Sequence, residues 1–216
     1  QADGLPLLAH LSRLARTPLQ HARVAGNRAW YAAVLGDLPT ALSAGERALQ
    51  MALPLGDEPL VATLHQRLGT ALAMAARFGE ALPHMHAAEG WMQTQASAPE
   101  RCEFLGNLAV VLDNLGRPGE AQRHHLRAIA EAAKDDDQAS RATLLANHAN
   151  SCLDAGDLAT ATEQAAQAQR IVVAFELAGS SAGYIATLYA QCARAQGHFT
   201  AALRRQSLVR AGNAEA

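Results

Sequence analysis

Residues 179–183 carry the pattern in this sequence that most resembles a catalytic nucleophile. Their order, Gly-Ser-Ser-Ala-Gly, matches GxSxG, the sharp turn that presents the serine of many hydrolases. The apolar run 171–175 just before it could pass for a strand. Such chemistry needs a sheet behind the serine, and an acid and a histidine later in the chain. No other segment has strand character and only His198 follows, so the sequence argues against a hydrolase.

The nine histidines would suit a metal if pairs of them shared a helix face. His84 and His86 are two residues apart and His124 and His125 are adjacent, whereas neighbours on one face are three or four apart. The three aspartates at 135–137 lack the spacing of a calcium loop, and no phosphate-binding loop occurs. We therefore expect no catalytic residue, no metal and no cofactor, and we interpret the histidines as surface residues.

Composition argues against several further classes. The 216 residues have a formal net charge of −2 and Lys134 is the only lysine, so no basic stripe indicates nucleic acid. No run of 18 apolar residues predicts a membrane span. The three cysteines form no CxxC pair, which favours reduced thiols in a cytoplasmic protein. Because the chain begins with Gln1 rather than methionine, we expect it to be a piece of a longer protein.

A 40-residue period runs through the chain. Turn-like triplets stand at 36–38, 76–78, 116–118 and 156–158, and a fifth follows at 197–199. Each triplet is followed by an alanine at the start of the next segment. Internal repeats of this length are typical of proteins built from stacked helical hairpins.

Helix caps follow the same register. Asp57, Ser97 and Asp137 are 40 residues apart, and each offers an oxygen to the free N–H groups of a first helical turn. Pro59 and Pro99 come two residues after their caps, where a missing N–H costs little. Each unit therefore predicts two helices joined by a tight turn.

The predicted elements are an N-terminal helix and five hairpins. The N-terminal helix is expected at 4–15, and the pairs at 18–35 with 39–54, 58–75 with 79–95, 98–115 with 118–134, 138–155 with 158–177, and 181–196 with 199–210. Residues 179–183 then form a loop in which Ser180 or Ser181 caps the next helix. Since a lone hairpin cannot bury its apolar face, we expect an all-α stack forming a single domain over 1–216. Its repeats are predicted at 18–56, 57–96, 97–136, 137–179 and 180–212.

This register resembles the tetratricopeptide repeat. That family keeps small residues where its helices nearly touch: one on the first helix, one 12 positions later and another seven beyond. The corresponding positions here are Ala29/Ala41/Ala48, Gly69/Ala81/Ala88, Ala109/Ala121/Ala128, Ala149/Ala161/Ala168 and Ala190/Ala202/Val209. The segments 78–82 and 116–121 look like the family's inter-helix turn. The resemblance covers about 22–210 and implies a right-handed superhelix, or α-solenoid.

The period of 40 is similar to the long-helix subclass of kinesin light chains, Leu-Gly-Asn-repeat adaptors and the sensory regions of bacterial regulators. By this resemblance, Asn27, Arg67, Asn107 and Asn147 share the position that lines the concave groove. Asparagine there holds a peptide backbone, because its amide both donates and accepts. The alternative is that these asparagines cap or bridge neighbouring helices and bind nothing.

Further groove residues follow from the same resemblance. One helical turn further along are Trp30, Thr70, Val110, Asn150 and Gln191, while Asp113 and Arg194 fall near the far edge of the groove. Trp30 is either a ligand anchor or a packing residue. The set lacks the cationic clamp for a C-terminal carboxylate, so we do not predict that specificity.

The resulting prediction is a non-enzymatic, protein- or peptide-binding scaffold from a bacterial signalling or transcription regulator. The alternative is a small-molecule sensor domain of an ATP-dependent activator, which a single enclosed pocket would favour. Leu203, Leu208 and Val209 give the last predicted helix an apolar edge. A homodimer through that end is therefore expected, since repeat arrays need polar caps.

Overall fold

Helices and short turns build the protein in the computed structural model, which describes residues 4–134 and 136–197. Over these residues no strand forms, so the prediction of an all-α fold is confirmed. The helix predicted at 199–210, with the apolar edge of Leu203, Leu208 and Val209, lies outside the described residues.

The packing of the helices divides the chain into two compact units, Gln1–Ala96 and Ser97–Ala216. The division falls between the repeats predicted at 57–96 and 97–136. A single domain over 1–216 stays a prediction.

The first unit contains two hairpins preceded by one helix. Its α-helices are α1 (Gly4–Leu14), α2 (Pro18–Val34), α3 (Leu38–Ala52), α4 (Glu58–Met74) and α5 (Phe78–Thr94). Helix α2 pairs with α3 and α4 pairs with α5, and the first helices of the two hairpins, α2 and α4, also touch.

The second unit repeats this arrangement. Its α-helices over the described residues are α6 (Ala98–Asn114), α7 (Pro118–Lys134), α8 (Gln138–Asp154), α9 (Leu158–Ala174) and α10 (Ser180–Ala195). Helix α6 pairs with α7 and α8 pairs with α9, while α8 also contacts both α6 and α10. Within this unit, the first helices of successive repeats therefore lie side by side.

Side-chain caps set where the helices begin. Asp57 and Asp137 each accept a hydrogen bond of 3.0 Å from the backbone N–H three residues on. The hydrogen bonds from Ser140 hold the pKa of Asp137 below its ordinary value. At Ser97 the carboxylate of Glu100 reaches back to accept from the backbone N–H at 3.0 Å. The predicted caps at these three positions are confirmed as helix starts.

The turns between the helices of a pair depend on one left-handed residue. Gly36, Gly116 and Gly156 have φ of +81°, +71° and +81°, a region that costs glycine nothing. The repeat that lacks this glycine places Ala76 there with φ of +57°. Apart from Ala76, the glycine recurs every 40 residues at this position because each turn needs a residue with positive φ.

The small residues of the repeat lie where the helices approach most closely. A Cβ added to Gly69 would lie 3.3 Å from the backbone oxygen of Ala81 on the facing helix. The set is buried over the described residues: Ala29, Ala41, Ala48, Gly69, Ala81, Ala88, Ala109, Ala121, Ala128, Ala149, Ala161, Ala168 and Ala190. Ala202 and Val209 lie outside that part of the chain.

One predicted cap is wrong. Helix α10 is preceded by Gly179 as its N-cap residue, with φ of +98°, and Ser180 is already the first helical residue. The chain turns into α10 through a left-handed conformation that favours glycine, so neither Ser180 nor Ser181 takes the capping position.

Candidate functional site

A groove runs along the first helices of the second unit, α6, α8 and α10. It consists of a larger cleft of about 530 Å³ and a smaller one of about 360 Å³. Asn147, near the middle of α8, lines both clefts. We call this surface the α8 groove.

Four of the predicted polar residues meet in the α8 groove, where the predicted Val110 also lines the smaller cleft. Asn107 and Asn147 line the larger cleft, while Asp113, Asn147 and Asn150 line the smaller one. All four are half-buried, so each keeps part of its polar surface accessible. The fold thus gathers amides and a carboxylate from two successive repeats.

Asp113 is held in place by contacts from two helices. The hydroxyl of Ser151 on α8 donates to its Oδ1 at 2.8 Å, and Nε2 of His125 on α7 lies 2.8 Å from its Oδ2. Since an aspartate only accepts, His125 carries a proton on Nε2. The carboxylate is therefore fixed in orientation while 19% of the side chain stays exposed.

The charge of the α8 groove is acidic. Its lining includes Glu100 and Glu103 in the larger cleft and Asp113 and Asp154 in the smaller one. Among the described residues, no lysine, arginine or histidine side chain lines either cleft. Tyr184 lies in the smaller cleft, where burial and, to a lesser extent, Asp154 raise the pKa of its hydroxyl.

Behind Asp113 lies a pair of histidines that are buried, although the sequence predicts surface histidines. His125 and His148 are 0% and 2% exposed, and their ring centroids are 5.5 Å apart. Burial lowers the pKa of His148, and the neighbouring His125 lowers it further. The interpretation of the histidines as surface residues is therefore wrong for this pair. The repeat register indicates the burial of His148, because it occupies the position of the buried Leu68 and Leu108 in other repeats.

A second histidine pair is half-buried in the first unit. Nδ1 of His65 on α4 lies 2.9 Å from Nδ1 of His84 on α5. Burial lowers the pKa of both imidazoles. In this geometry one ring donates and the other accepts. Over the described residues, no cluster of three or more metal-binding side chains occurs.

Arg67 contacts two other predicted site residues of the first unit, Asn27 and Trp30. Arg67 donates to Oδ1 of Asn27 at 2.9 Å, and its guanidinium carbon lies 5.9 Å from the ring centroid of Trp30. The cavity that Trp30 and Arg67 line has a volume of only about 10 Å³. Thr70 is half-buried one turn after Arg67 and does not line that cavity. Asn27 therefore bridges two neighbouring helices, α2 and α4, which is one of the two roles that the sequence predicts for it.

Gln191 and Arg194 lie apart from the α8 groove. Both are exposed on α10, and neither lines one of its two clefts. Their role in partner binding stays a prediction.

The largest cleft of the first unit contains none of the predicted residues. It has a volume of about 840 Å³ between α1, α2 and α3. Its charged lining consists of Arg28 and Arg47, with His21 beside them. Both arginines are exposed, and the described contacts do not fix either guanidinium in place. We therefore regard the α8 groove as the better-organised site.

The GxSxG segment does not form a nucleophile turn. The apolar run before it forms the last turn of α9, with Phe175 as the C-cap residue, and Ser180 and Ser181 lie in the first turn of α10. The strand that this turn needs is replaced by helix. Nor is any helix of the described residues long and apolar enough to cross a membrane.

The fold is that of a tetratricopeptide-like stack of helical hairpins. No family model matches the sequence, and no curated protein matches it. Among solved structures, it is similar to a putative kinesin light chain of Podosopora anserina with TPR-like repeats. That match has a TM-score of 0.74 at 20% identity and covers 93% of this chain and 98% of the other.

Two further solved structures are also similar in fold. A Rap protein complexed with Competence and Sporulation Factor matches with a TM-score of 0.83 at 14% identity, covering 97% of this chain and 58% of the Rap chain. PlcR of Bacillus thuringiensis, in complex with the peptide PapR7 and DNA, matches with a TM-score of 0.64 at 9% identity. That match covers 85% of this chain and 69% of the PlcR chain. The predicted resemblance to the long-period repeats is thereby confirmed at the level of the fold.

Proposed function

We propose that this chain is a protein- or peptide-binding scaffold and that the α8 groove is its binding surface. The observation that carries the proposal is the convergence of Asn107, Asn147, Asn150 and Asp113 on one groove. Two of these amides, Asn107 and Asn147, stand at the same position of successive repeats. An extended segment lying across α6 and α8 would offer backbone groups to both.

The likeness to the PlcR complex supports a peptide as the occupant, because that structure contains one. We infer that this chain is the sensory or interaction region of a bacterial signalling or transcription regulator, in the cytoplasm. The acidic lining favours a protein or peptide over nucleic acid, since phosphates would be repelled. The chain binds its partner without catalysis and without a cofactor, and a homodimer through its C-terminal end remains part of the proposal.

The small-molecule alternative gains less support. An effector site would be one enclosed pocket with converging polar groups. The α8 groove is instead two open clefts that share Asn147.

Panning a phage library of random heptapeptides on the chain tests the proposal. Synthetic versions of the enriched peptides are then titrated by fluorescence anisotropy against the native chain, Asn107→Ala/Asn147→Ala and Gln122→Ala. Gln122 is an exposed amide on α7 outside the groove. We expect saturable binding that the double variant loses and Gln122→Ala keeps. Peptides that bind the double variant as tightly as the native chain would contradict the groove assignment.

A further inference from the structure

We propose that the partner inserts an arginine or lysine side chain into the smaller cleft of the α8 groove, between Asp113 and Asp154. The inference rests on the proposed function and adds the chemistry of the ligand. It also assigns the neighbouring larger cleft to an apolar side chain of the same segment.

Asp113 is the main determinant. Its carboxylate is mostly buried, yet its two described hydrogen-bond donors are a hydroxyl and an imidazole, and no arginine or lysine pairs with it among the described residues. Each oxygen accepts one bond and retains a further lone pair. A mostly buried carboxylate gains most from a cation, because desolvation strengthens their attraction.

Asp154 supplies the second charge. It lies at the exposed end of α8 and lines the same cleft as Asp113, and Asn150 donates to its Oδ2 at 3.1 Å. The cleft volume of about 360 Å³ is sufficient for one long side chain with the backbone that bears it. A guanidinium offers several donors in a plane and can contact two carboxylates at once.

The larger cleft differs in character. Val172, Leu177 and Ile185 line it, together with Glu100 and Glu103. An extended peptide that passes Asn147 with its basic residue in the smaller cleft would therefore place a neighbouring apolar residue here. The two glutamates add negative charge around that position and disfavour an acidic segment.

Peptides enriched by panning provide the test. We expect arginine or lysine at one fixed position, beside an apolar residue, at a frequency well above that of the unselected library. Replacing that arginine by the neutral isostere citrulline, or that lysine by norleucine, should weaken binding to the native chain about tenfold. Asp113→Asn and Asp154→Asn should each weaken the unmodified peptide, whereas Glu163→Gln, an exposed carboxylate on α9, should not.

The decisive comparison combines both changes. In Asp113→Asn/Asp154→Asn, the neutral replacement should alter binding less than twofold, because the peptide cation has lost its partners. Circular dichroism melts check that the variants fold. If Asp113→Asn does not fold, the neutral peptide is titrated against Asp154→Asn alone to test the contact with the peptide cation. Enriched peptides that need Asn147 but are neutral or acidic would overturn the cation inference and leave the proposed function intact. No saturable peptide at all would overturn both.

Discussion

Ser151 on α8 donates a hydrogen bond of 2.8 Å from its hydroxyl to Oδ1 of Asp113 on α6, joining the first helices of two successive repeats. Replacing Ser151 by alanine leaves that carboxylate oxygen with one donor fewer in a half-buried place. We expect the free energy of unfolding to fall by about 1–2 kcal/mol. Urea denaturation measures the change, with Ser43→Ala as a control because its hydroxyl contacts an exposed carbonyl of its own helix. Equal stabilities for the two variants would show that the contact between α6 and α8 contributes nothing.

Ala76 offers a test of the turn geometry. It has φ of +57° at the position where three other repeats carry glycine. Replacing it by glycine removes a contact between Cβ and backbone that costs about 1 kcal/mol, so Ala76→Gly should raise the free energy of unfolding by about that amount. Ala75→Gly is the matched control, because φ of −83° there gives glycine no advantage. If both variants lower stability, the left-handed residue is not strained.

The buried His148 predicts a loss of stability in acid. Its folded-state pKa is lowered, by burial first and then by His125, while Asp113 and Asp157 act in the opposite direction. As pH falls through about 6.5, the unfolded chain takes up a proton that the folded chain resists. The free energy of unfolding should therefore fall below that pH, by at most about 1.4 kcal/mol per unit for this one group.

His148→Leu should reduce this dependence on pH. Leu68 and Leu108 stand at the same position of other repeats and are buried, so leucine is compatible with the packing. Urea titrations at pH 7 and pH 5 compare the free energies of unfolding of the native chain and of His148→Leu. His86→Gln is the control, because the imidazole of His86 is exposed in the native chain. A residual slope is expected because burial also lowers the pKa of His65 and His84. An unchanged slope in His148→Leu would exclude its contribution.

The cysteines should be unreactive in the folded protein. All three are buried, and burial is the main cause that raises the pKa of Cys152 to about 11 and raises that of Cys192. Because the thiolate is the reactive form, a disulfide reagent at pH 8 should modify the native chain slowly. After unfolding, all three thiols should react at once. Rapid stoichiometric modification of the native chain would contradict the burial.

The sequence predicted the helices well because the cap and turn residues that end each helix act locally. The prediction of 118–134 agrees with α7 at Pro118–Lys134, and that of 98–115 with α6 at Ala98–Asn114. Side-chain partners were predicted less well, since they depend on how helices 40 residues apart pack. Arg67 bridging to Asn27 is one example. The cap before α10 failed because serine is the commoner cap, whereas the positive φ here favours Gly179.

Blocking the α8 groove sterically tests directly whether it is the binding surface. Thr143 lines the larger cleft, and Gln122 is exposed on α7. Thr143→Cys and Gln122→Cys are each modified with a maleimide under conditions that leave the native cysteines unmodified, and a panned peptide is titrated against both. The proposed site predicts that modification at position 143 abolishes binding, while modification at position 122 leaves the dissociation constant unchanged. Full binding by the modified Thr143→Cys variant would exclude the α8 groove as the binding surface.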